Sequence, residues 1–391
     1  MFSRRVPASL DPTPLAVAVH QLRAAGTPFI DLTESNPTRV GLRYPDALLD
    51  ALRDPRGYAY DPQPLGLLEA RQAIAEEYAR RGVGIDPSRV MLAASTSECY
   101  SFLFKLLCAP GDAVLVPQPS YPLFSYLTEL DGIDGRPYRL ARDAGWSFDV
   151  AAVADAIDDR TRAVLLVAPN NPTGTRIHRA ALAELGAVCA ARGIAVIGDE
   201  VFADYLLELD RGSDLAASVL DQSHALTFSL GGLSKSVGLP QLKRGWLAVN
   251  GPRHIVDDAL ARLEIVGDAY LSVSSPVQLA TRSLLRKGAS VRAQIADRVL
   301  LNYRVLVEMV ATYPACRVPP VAGGWSAVVQ APAVMPDDLR ALEILRDQGV
   351  LVHPGHLFDF ERDGYFVVSL LPPSDDFRAG IGRVLGTLDR S

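Results

Sequence analysis

Between residues 60 and 250, short apolar runs alternate with helical patterns, and this alternation constrains the fold more than any other feature of the chain. The runs are VMLAAS (90–95), AVLVPQP (113–119), AVLLVAP (163–169), IAVIGDE (194–200), ALTFSL (225–230) and GWLAVN (245–250). Gly, Pro, Asn or Asp bounds them, and LGLLEARQAIAEEYARRG (65–82) is one of the helical patterns. Such runs are typical of strands buried on both faces. The sequence therefore predicts an α/β fold around a mainly parallel sheet.

Polar residues end or follow several of these runs. They are Ser95 to Ser97, Gln118 to Tyr121, Asn170-Asn171 and Asp199-Glu200. The carboxyl ends of parallel strands meet at one edge of a sheet, and ligands bind beyond that edge. We therefore expect these side chains to line a functional site.

A second region begins near residue 276. A long helical pattern with one glycine interruption is followed by GGWSAVVQAP (323–332) and GYFVVSLLPP (364–373), which have strand character, and by a final helix. We predict a large domain at 45–275 and a smaller α+β domain formed by 276–391 together with the N-terminal segment 1–44.

Composition excludes several classes of function. The net charge is −6, from 39 basic and 45 acidic residues without a basic block, which gives no electrostatic footprint for nucleic acid. No apolar run has transmembrane or secretory-signal character. The four cysteines are scattered without CxxC spacing and there is no HExxH pattern, so we expect no metal site and a reducing cytoplasmic location.

Four motifs stand at predicted strand ends in a fixed order. They are PSYP (119–122), NNPTG (170–174), DEVFADY (199–205) and SK (234–235). Each has an ordinary explanation when taken alone. NNPTG is a turn sequence, Asp199 is a possible helix N-cap, Tyr121 can serve packing, and Lys235 can be solvated. Their joint occurrence is far less expected by chance.

With these motifs the chain resembles the fold-type I pyridoxal-phosphate (PLP) enzymes, in particular class I/II aminotransferases of the aspartate aminotransferase group. The resemblance runs from about Asp31 to Leu371 and is strongest in YDPQPLGLLEARQAIA, PSYPLF, NNPTG, DEVFADY and GLSKSVGLPQLKRGW. It implies a mainly parallel seven-stranded central sheet with helices on both faces and a smaller α+β domain. It also implies pyridoxal 5'-phosphate as cofactor and a homodimer with composite active sites.

The resemblance gives the motif residues roles that suit their chemistry. Lys235 is implied to form a Schiff base with PLP and then to move the proton between Cα and C4′, which requires a lysine of lowered pKa. Asp199 is implied to keep the pyridine nitrogen protonated. Asn171 is implied to donate to the phenolate oxygen, and Tyr121 to stack on the ring.

The phosphate requires N–H groups and a cation. Ser95, Thr96 and Ser97 precede a helical pattern, and a helix N-terminus favours an anion, although an ordinary N-cap uses the same geometry. The resemblance places a basic residue eight positions after the Schiff-base lysine, which is Lys243 here instead of the usual arginine. We expect Lys243 to serve, because alternation in a strand would turn Arg244 the other way.

The resemblance also implies that one residue contacts the active site of a neighbouring subunit. Tyr60, in GYAYDPQPLG, matches the family's tyrosine that reaches the phosphate of the neighbouring subunit. A local turn is the alternative explanation for this stretch.

The chain departs from the family pattern at two positions. Phe202 stands where a tyrosine donates to the phenolate oxygen, and Val367, in FVVSLL (366–371), stands where an arginine binds the substrate α-carboxylate. A carboxylate requires a cation or several converging donors. The candidates for substrate binding are Ser35, Arg39, Arg43 and Asn171.

The leading hypothesis is an aminotransferase that works by a ping-pong cycle between aldimine and pyridoxamine forms. The departures keep open another PLP reaction, namely decarboxylation, elimination, cyclisation or oxidation. A PLP-binding regulator is disfavoured because no room for a DNA-binding domain precedes Asp31. We expect a substrate other than a dicarboxylic acid.

Overall fold

A computed structural model describes residues 2–142, 145–207 and 214–390. Within these ranges the strands are β1 (Ile30–Asp31), β2 (Val90–Ala93), β3 (Ala113–Gln118), β4 (Asp134–Arg139), β5 (Ala141–Arg142), β6 (Trp146–Ser147), β7 (Thr161–Val167), β8 (Ala195–Asp199), β9 (Thr227–Gly232), β10 (Gly245–Asn250), β11 (Ser326–Gln330), β12 (Val350–Leu351), β13 (His353–Pro354) and β14 (Tyr365–Ser369). The α-helices are α1 (Pro14–Ala24), α2 (Leu68–Arg80), α3 (Thr96–Leu107), α4 (Leu123–Asp131), α5 (Val150–Ala156), α6 (Arg179–Arg192), α7 (Leu233–Ser236), α8 (Arg253–Asp268), α9 (Ser275–Lys287), α10 (Ala289–Val310), α11 (Asp337–Gln348) and α12 (Ser374–Leu388).

The central sheet has seven strands in the order β2-β10-β9-β8-β7-β3-β4. Strand β10 is antiparallel to both neighbours, whereas the β9-β8, β8-β7, β7-β3 and β3-β4 pairs are parallel. The prediction of a mainly parallel seven-stranded sheet is confirmed.

Both faces of this sheet are covered by helices, as the uniformly apolar runs predict. In β7, Ala163, Leu165 and Val167 pack with α3, α4 and α8, whereas Val164 and Leu166 pack with α5 and α6 on the opposite face. Adjacent side chains of a strand point to opposite faces, so a strand with helices on both sides is apolar at every position.

The C-terminal part of the chain forms an α+β unit. Strands β11, β14 and β13 make an antiparallel sheet. One face of that sheet packs against α10 and α12 in a hydrophobic core that also includes Leu32 and Val40. The helical pattern after residue 275 divides at Gly288 into α9 and α10, as the glycine interruption predicts. The boundaries at residues 45 and 275 stay a prediction.

In the described ranges, no helix combines the length and the apolarity that a membrane span requires.

Candidate active site

A cavity of about 370 Å³ opens at the carboxyl edge of the central sheet, between that sheet and the β11–β14–β13 sheet. It is lined by nine of the residues singled out from the sequence, namely Ser35, Ser95, Thr96, Ser97, Tyr121, Asn171, Asp199, Phe202 and Lys235. The strand ends therefore bring together most of the predicted site. Four residues considered for the site lie outside the cavity wall, namely Arg39, Arg43, Tyr60 and Lys243, and all four are exposed.

Lys235 lies on the short helix α7, directly after β9. Its Nζ atom lies 4.8 Å from the ring centroid of Trp325 and 5.7 Å from that of Phe202. Burial lowers the pKa of Lys235 to about 8, although the negative charge of Asp199 opposes the shift. An amine with this pKa is neutral in a useful fraction of molecules near pH 7, which is what a nucleophilic lysine requires.

The backbone of Lys235 is held by a buried tyrosine outside the cavity wall. Tyr205 is fully buried, and its hydroxyl donates a hydrogen bond to the carbonyl oxygen of Lys235. The same tyrosine ring packs against Trp325, at a centroid distance of 5.1 Å. Tyr205 therefore positions the lysine through its main chain, and its hydroxyl is not a substitute for the hydroxyl that Phe202 lacks.

Asp199 is the last residue of β8, and both of its carboxylate oxygens are hydrogen-bonded. Tyr100 Oη donates to Oδ2 at 2.8 Å, and the Val201 N–H donates to Oδ1 at 3.2 Å. Burial raises the pKa of Asp199, and these two hydrogen bonds oppose the increase by stabilising the ionised form. The carboxylate is thus oriented toward the cavity by donors on α3 and on its own loop.

Asn171 follows β7 in a turn that is held by its neighbour. Asn170 Oδ1 accepts from the Thr173 hydroxyl at 3.0 Å, and the Gly174 N–H donates to the Asn170 carbonyl at 2.8 Å. In the described ranges, Asn171 Oδ1 is buried and lacks a hydrogen-bond partner. The amide of Asn171 therefore has bonding capacity that the protein itself does not use.

The N-terminus of α3 forms the anion-binding end of the cavity. Ser95 Oγ caps the helix by accepting from the Glu98 N–H at 3.1 Å, and the N–H groups of Thr96 and Ser97 precede the first intrahelical hydrogen bond. A Cβ on Gly245 would lie 2.8 Å from Thr96 N, so only glycine lets β10 approach this terminus so closely. Free N–H groups and the helix dipole favour an anion here.

Arg244, rather than Lys243, lines the cavity beside this terminus. The expectation that strand alternation turns Arg244 away is wrong, because Lys243 adopts a left-handed backbone conformation (φ 46°) and β10 begins only at Gly245. Arg244 is 1% exposed, and its Nη2 donates to Thr281 Oγ1 at 3.0 Å. Within the described ranges, its Nε and Nη1 lack hydrogen-bond partners. Burial lowers the pKa of Arg244 to about 9.

Sequence reasoning missed several residues of the wall, including Tyr100, Ser326, His353 and Ser369. Tyr100 lies in the second turn of an ordinary amphipathic helix, and His353 begins the two-residue strand β13, so no local pattern marks either of them. Val367 does lie in the cavity wall, as its place in the late strand implies.

Comparisons with known proteins agree with this geometry. The sequence profile described as "Aminotransferase class I and II" matches residues 27–376. Glutamate-pyruvate aminotransferase AlaA of Haemophilus influenzae is 27% identical over 361 residues, which cover 90% of this chain and 88% of that protein. Alanine aminotransferase of Mycobacterium tuberculosis is 28% identical over 386 residues, which cover 94% and 88%. The solved structure of an alanine aminotransferase from Pyrococcus furiosus has the same fold, with a TM-score of 0.88, 23% identity and 100% coverage of both chains.

Proposed function

The chain belongs to the family of class I and II aminotransferases, and from that premise we propose that it binds pyridoxal 5'-phosphate in the cavity described above and uses alanine and pyruvate as one of its substrate pairs. As a member of this family it is an enzyme that moves an amino group between an amino donor and a 2-oxo acid. Enzymes of this family use PLP.

The residues of the cavity fit that cofactor. Asn171 has a buried oxygen without a partner in the described ranges, which leaves its amide free to turn an N–H toward the cavity. Arg244 carries a buried charge without an acidic partner among the described residues, and a phosphate at the N-terminus of α3 would supply the missing negative charge. The single observation that carries the proposal is that the amine of Lys235 and the carboxylate of Asp199 line the same cavity and interact electrostatically.

The protein side of the chemistry follows from these positions. Bound PLP supplies an electron-withdrawing ring beside the substrate. Lys235 Nζ would provide the attachment point for the cofactor and then the base that takes and returns the substrate Cα proton. Asp199 would accept a hydrogen bond from the protonated ring nitrogen and so favour that protonated form, and the rings of Phe202 and Trp325 would shield the lysine amine from water.

The substrate pair is proposed from two observations. The relatives above are named for alanine, glutamate and pyruvate. Among the described residues that line the cavity, the basic side chains are Lys235, Arg244 and His353, and much of the remaining wall is apolar. The described wall thus offers no spare guanidinium for the second carboxylate of a dicarboxylic acid, which favours a small monocarboxylic partner such as alanine.

We also propose a homodimer with composite sites. Tyr60 is 81% exposed and lies outside the cavity of its own chain, and Tyr58 and Ile265 are exposed as well. Exposed large apolar side chains of this kind suit a subunit interface. A cytoplasmic location, predicted from cysteine usage, stays a prediction.

A spectroscopic titration tests the function. The visible absorption of the PLP-loaded protein is followed while single amino acids are added, with Lys235→Ala as the control. We expect L-alanine to discharge the absorption band and pyruvate to restore it. A band that is lost with release of carbon dioxide or uptake of oxygen, and that no 2-oxo acid restores, would overturn the proposal in favour of another PLP reaction.

A further inference from the structure

The small antiparallel sheet presents one polar patch to the cavity. Strand β11 pairs with β14 in a register that sets Ser326 opposite Ser369, and β13 pairs with β14 so that His353 lies opposite Val367. All four residues line the cavity. Directly paired residues have Cβ atoms about 5 Å apart and diagonal ones about 7 Å apart. His353, Ser369 and Ser326 therefore surround Val367 on the cavity face.

A substrate carboxylate requires hydrogen-bond donors in this cavity, and among the basic side chains of the described wall one is left for that role. Lys235 is the proposed attachment point and base, so it is not free to hold the carboxylate. Arg244 lies beside the N-terminus of α3, at the anion-binding end. His353 is the basic side chain left in the described wall, and it stands on the sheet that faces the central sheet across the cavity.

The state of His353 suits a neutral hydrogen-bond donor. Burial lowers the pKa of His353, and the nearby carboxylate of Asp31 opposes the shift. Its ring packs edge-on against Phe358 at a centroid distance of 5.6 Å. A neutral imidazole carries one N–H donor, which can bind a carboxylate without a buried positive charge.

Ser369 adds a second donor. Its hydroxyl oxygen accepts a hydrogen bond from the Leu371 N–H at 3.2 Å, which leaves its own hydrogen for another acceptor. Its neighbour across the strand pair, Ser326, offers a further hydroxyl.

We propose that His353, with Ser369 and Ser326 beside it, forms the carboxylate-binding subsite of this enzyme and so determines its preference for amino and 2-oxo acids over simple amines. The inference rests on the proposed transamination, because a carboxylate-bearing substrate is its ligand. Converging neutral donors replace a guanidinium at this subsite.

The test compares two amino donors that differ only in the carboxylate, L-alanine and ethylamine. For the PLP-loaded wild type, His353→Leu and His353→Gln, the rate of amine transfer from each donor is measured in a single half-reaction. We expect His353→Leu to lower the alanine-to-ethylamine ratio by about 10-fold or more, since a hydrogen bond to a charged group is lost. His353→Gln, which keeps an N–H donor, should retain part of the preference.

A matched control is available three residues further along. His356 is exposed and outside the cavity wall, where it pairs with Asp338. His356→Leu is the same substitution in the same segment and should leave the ratio unchanged. General damage to the fold lowers both rates together and does not move the ratio.

Binding of propionate, a carboxylate that cannot react, gives a second readout by calorimetry. We expect His353→Leu and Ser369→Ala to weaken propionate binding. An unchanged alanine-to-ethylamine ratio together with unchanged propionate affinity in His353→Leu would overturn the inference. If the wild type binds propionate through His353 but exchanges no amino group with alanine, the proposed substrate pair fails and the carboxylate subsite stands.

Discussion

The hydroxyl of Tyr100 donates a hydrogen bond to Oδ2 of Asp199 at 2.8 Å, which joins helix α3 to the end of strand β8. The other carboxylate oxygen accepts from the backbone N–H of Val201. Burial alone would favour a neutral carboxyl group, and these two donors stabilise the ionised form. The contact therefore links the helix whose N-terminus lies at the anion-binding end of the cavity with the acid that is proposed to contact the ring nitrogen of the cofactor.

The first prediction concerns this hydrogen bond. Tyr100→Phe removes a donor that lowers the pKa of Asp199, so that pKa rises further above its ordinary value. The acidic limb of the pH profile of kcat should move upward by about one unit, since a hydrogen bond to a charged group contributes about 1.5 kcal/mol or more. Tyr138→Phe is the control, because its buried hydroxyl donates to the Leu165 carbonyl away from the cavity. An unshifted acidic limb in Tyr100→Phe would show that Asp199 does not depend on this donor.

The second prediction concerns the cost of burying Lys235. Its folded-state pKa is about 8 and its ordinary value is 10.5. Between these pH values the unfolded chain binds more protons than the folded chain, so the free energy of unfolding of the cofactor-free protein rises with pH in that window. Below about pH 8 the full destabilisation by the charged, enclosed amine remains. Lys235→Met should abolish turnover. It should also raise the free energy of unfolding at pH 7 by on the order of 1–3 kcal/mol.

Denaturant unfolding at pH 7 and at pH 10 measures this effect. The advantage of Lys235→Met should shrink as the pH rises from about 8 toward 10.5, because the folded amine is already neutral there and the unfolded amine begins to lose its proton. Lys287→Met removes an exposed lysine that donates to the Ala47 carbonyl, so it should leave turnover unchanged and change stability by a small amount that is the same at both pH values. Equal stability of Lys235→Met and wild type at both pH values would contradict the assigned pKa.

The third prediction separates Arg244 from Lys243. Arg244 is buried in the cavity wall and Lys243 is exposed outside it. Arg244→Met should weaken PLP binding by about 10-fold or more while affecting pyridoxal, which lacks the phosphate, much less. Lys243→Met should have the smaller effect. Equilibrium titration of the cofactor-free variants with both compounds measures this, and the reverse order would restore the prediction made from the sequence.

The fourth prediction tests the composite site. If each site combines Lys235 of one subunit with Tyr60 of the other, we expect Tyr60→Ala and Lys235→Ala each to inactivate the homodimer. In a hybrid of the two variants, one site receives both substitutions and the other site receives neither. After mixed refolding, random pairing makes about half of the dimers hybrids with one intact site each, so activity should return to about a quarter of the wild-type value. A mixture as inactive as the separate variants, with hybrids shown by mass spectrometry, would place Tyr60 outside the partner's site.

The sequence by itself determined the central sheet and the residues at its carboxyl edge. Runs that are apolar at every position can be strands only where both faces are covered, and parallel strands bring their ends together. Asn171, Asp199 and Lys235 follow such runs, so their convergence in one cavity could be predicted without knowledge of any long-range contact.

Only the tertiary structure decided which residues complete the cavity. The left-handed backbone at Lys243 reverses the expected orientation of Arg244, and no residue pattern in this segment signals it. Tyr100 reaches Asp199 across 99 positions of the chain, and His353 reaches the cavity through its register against Val367 on another strand. Periodicity reports which face of a strand or helix is buried, whereas these contacts depend on how separate elements pack against each other, which no local pattern encodes.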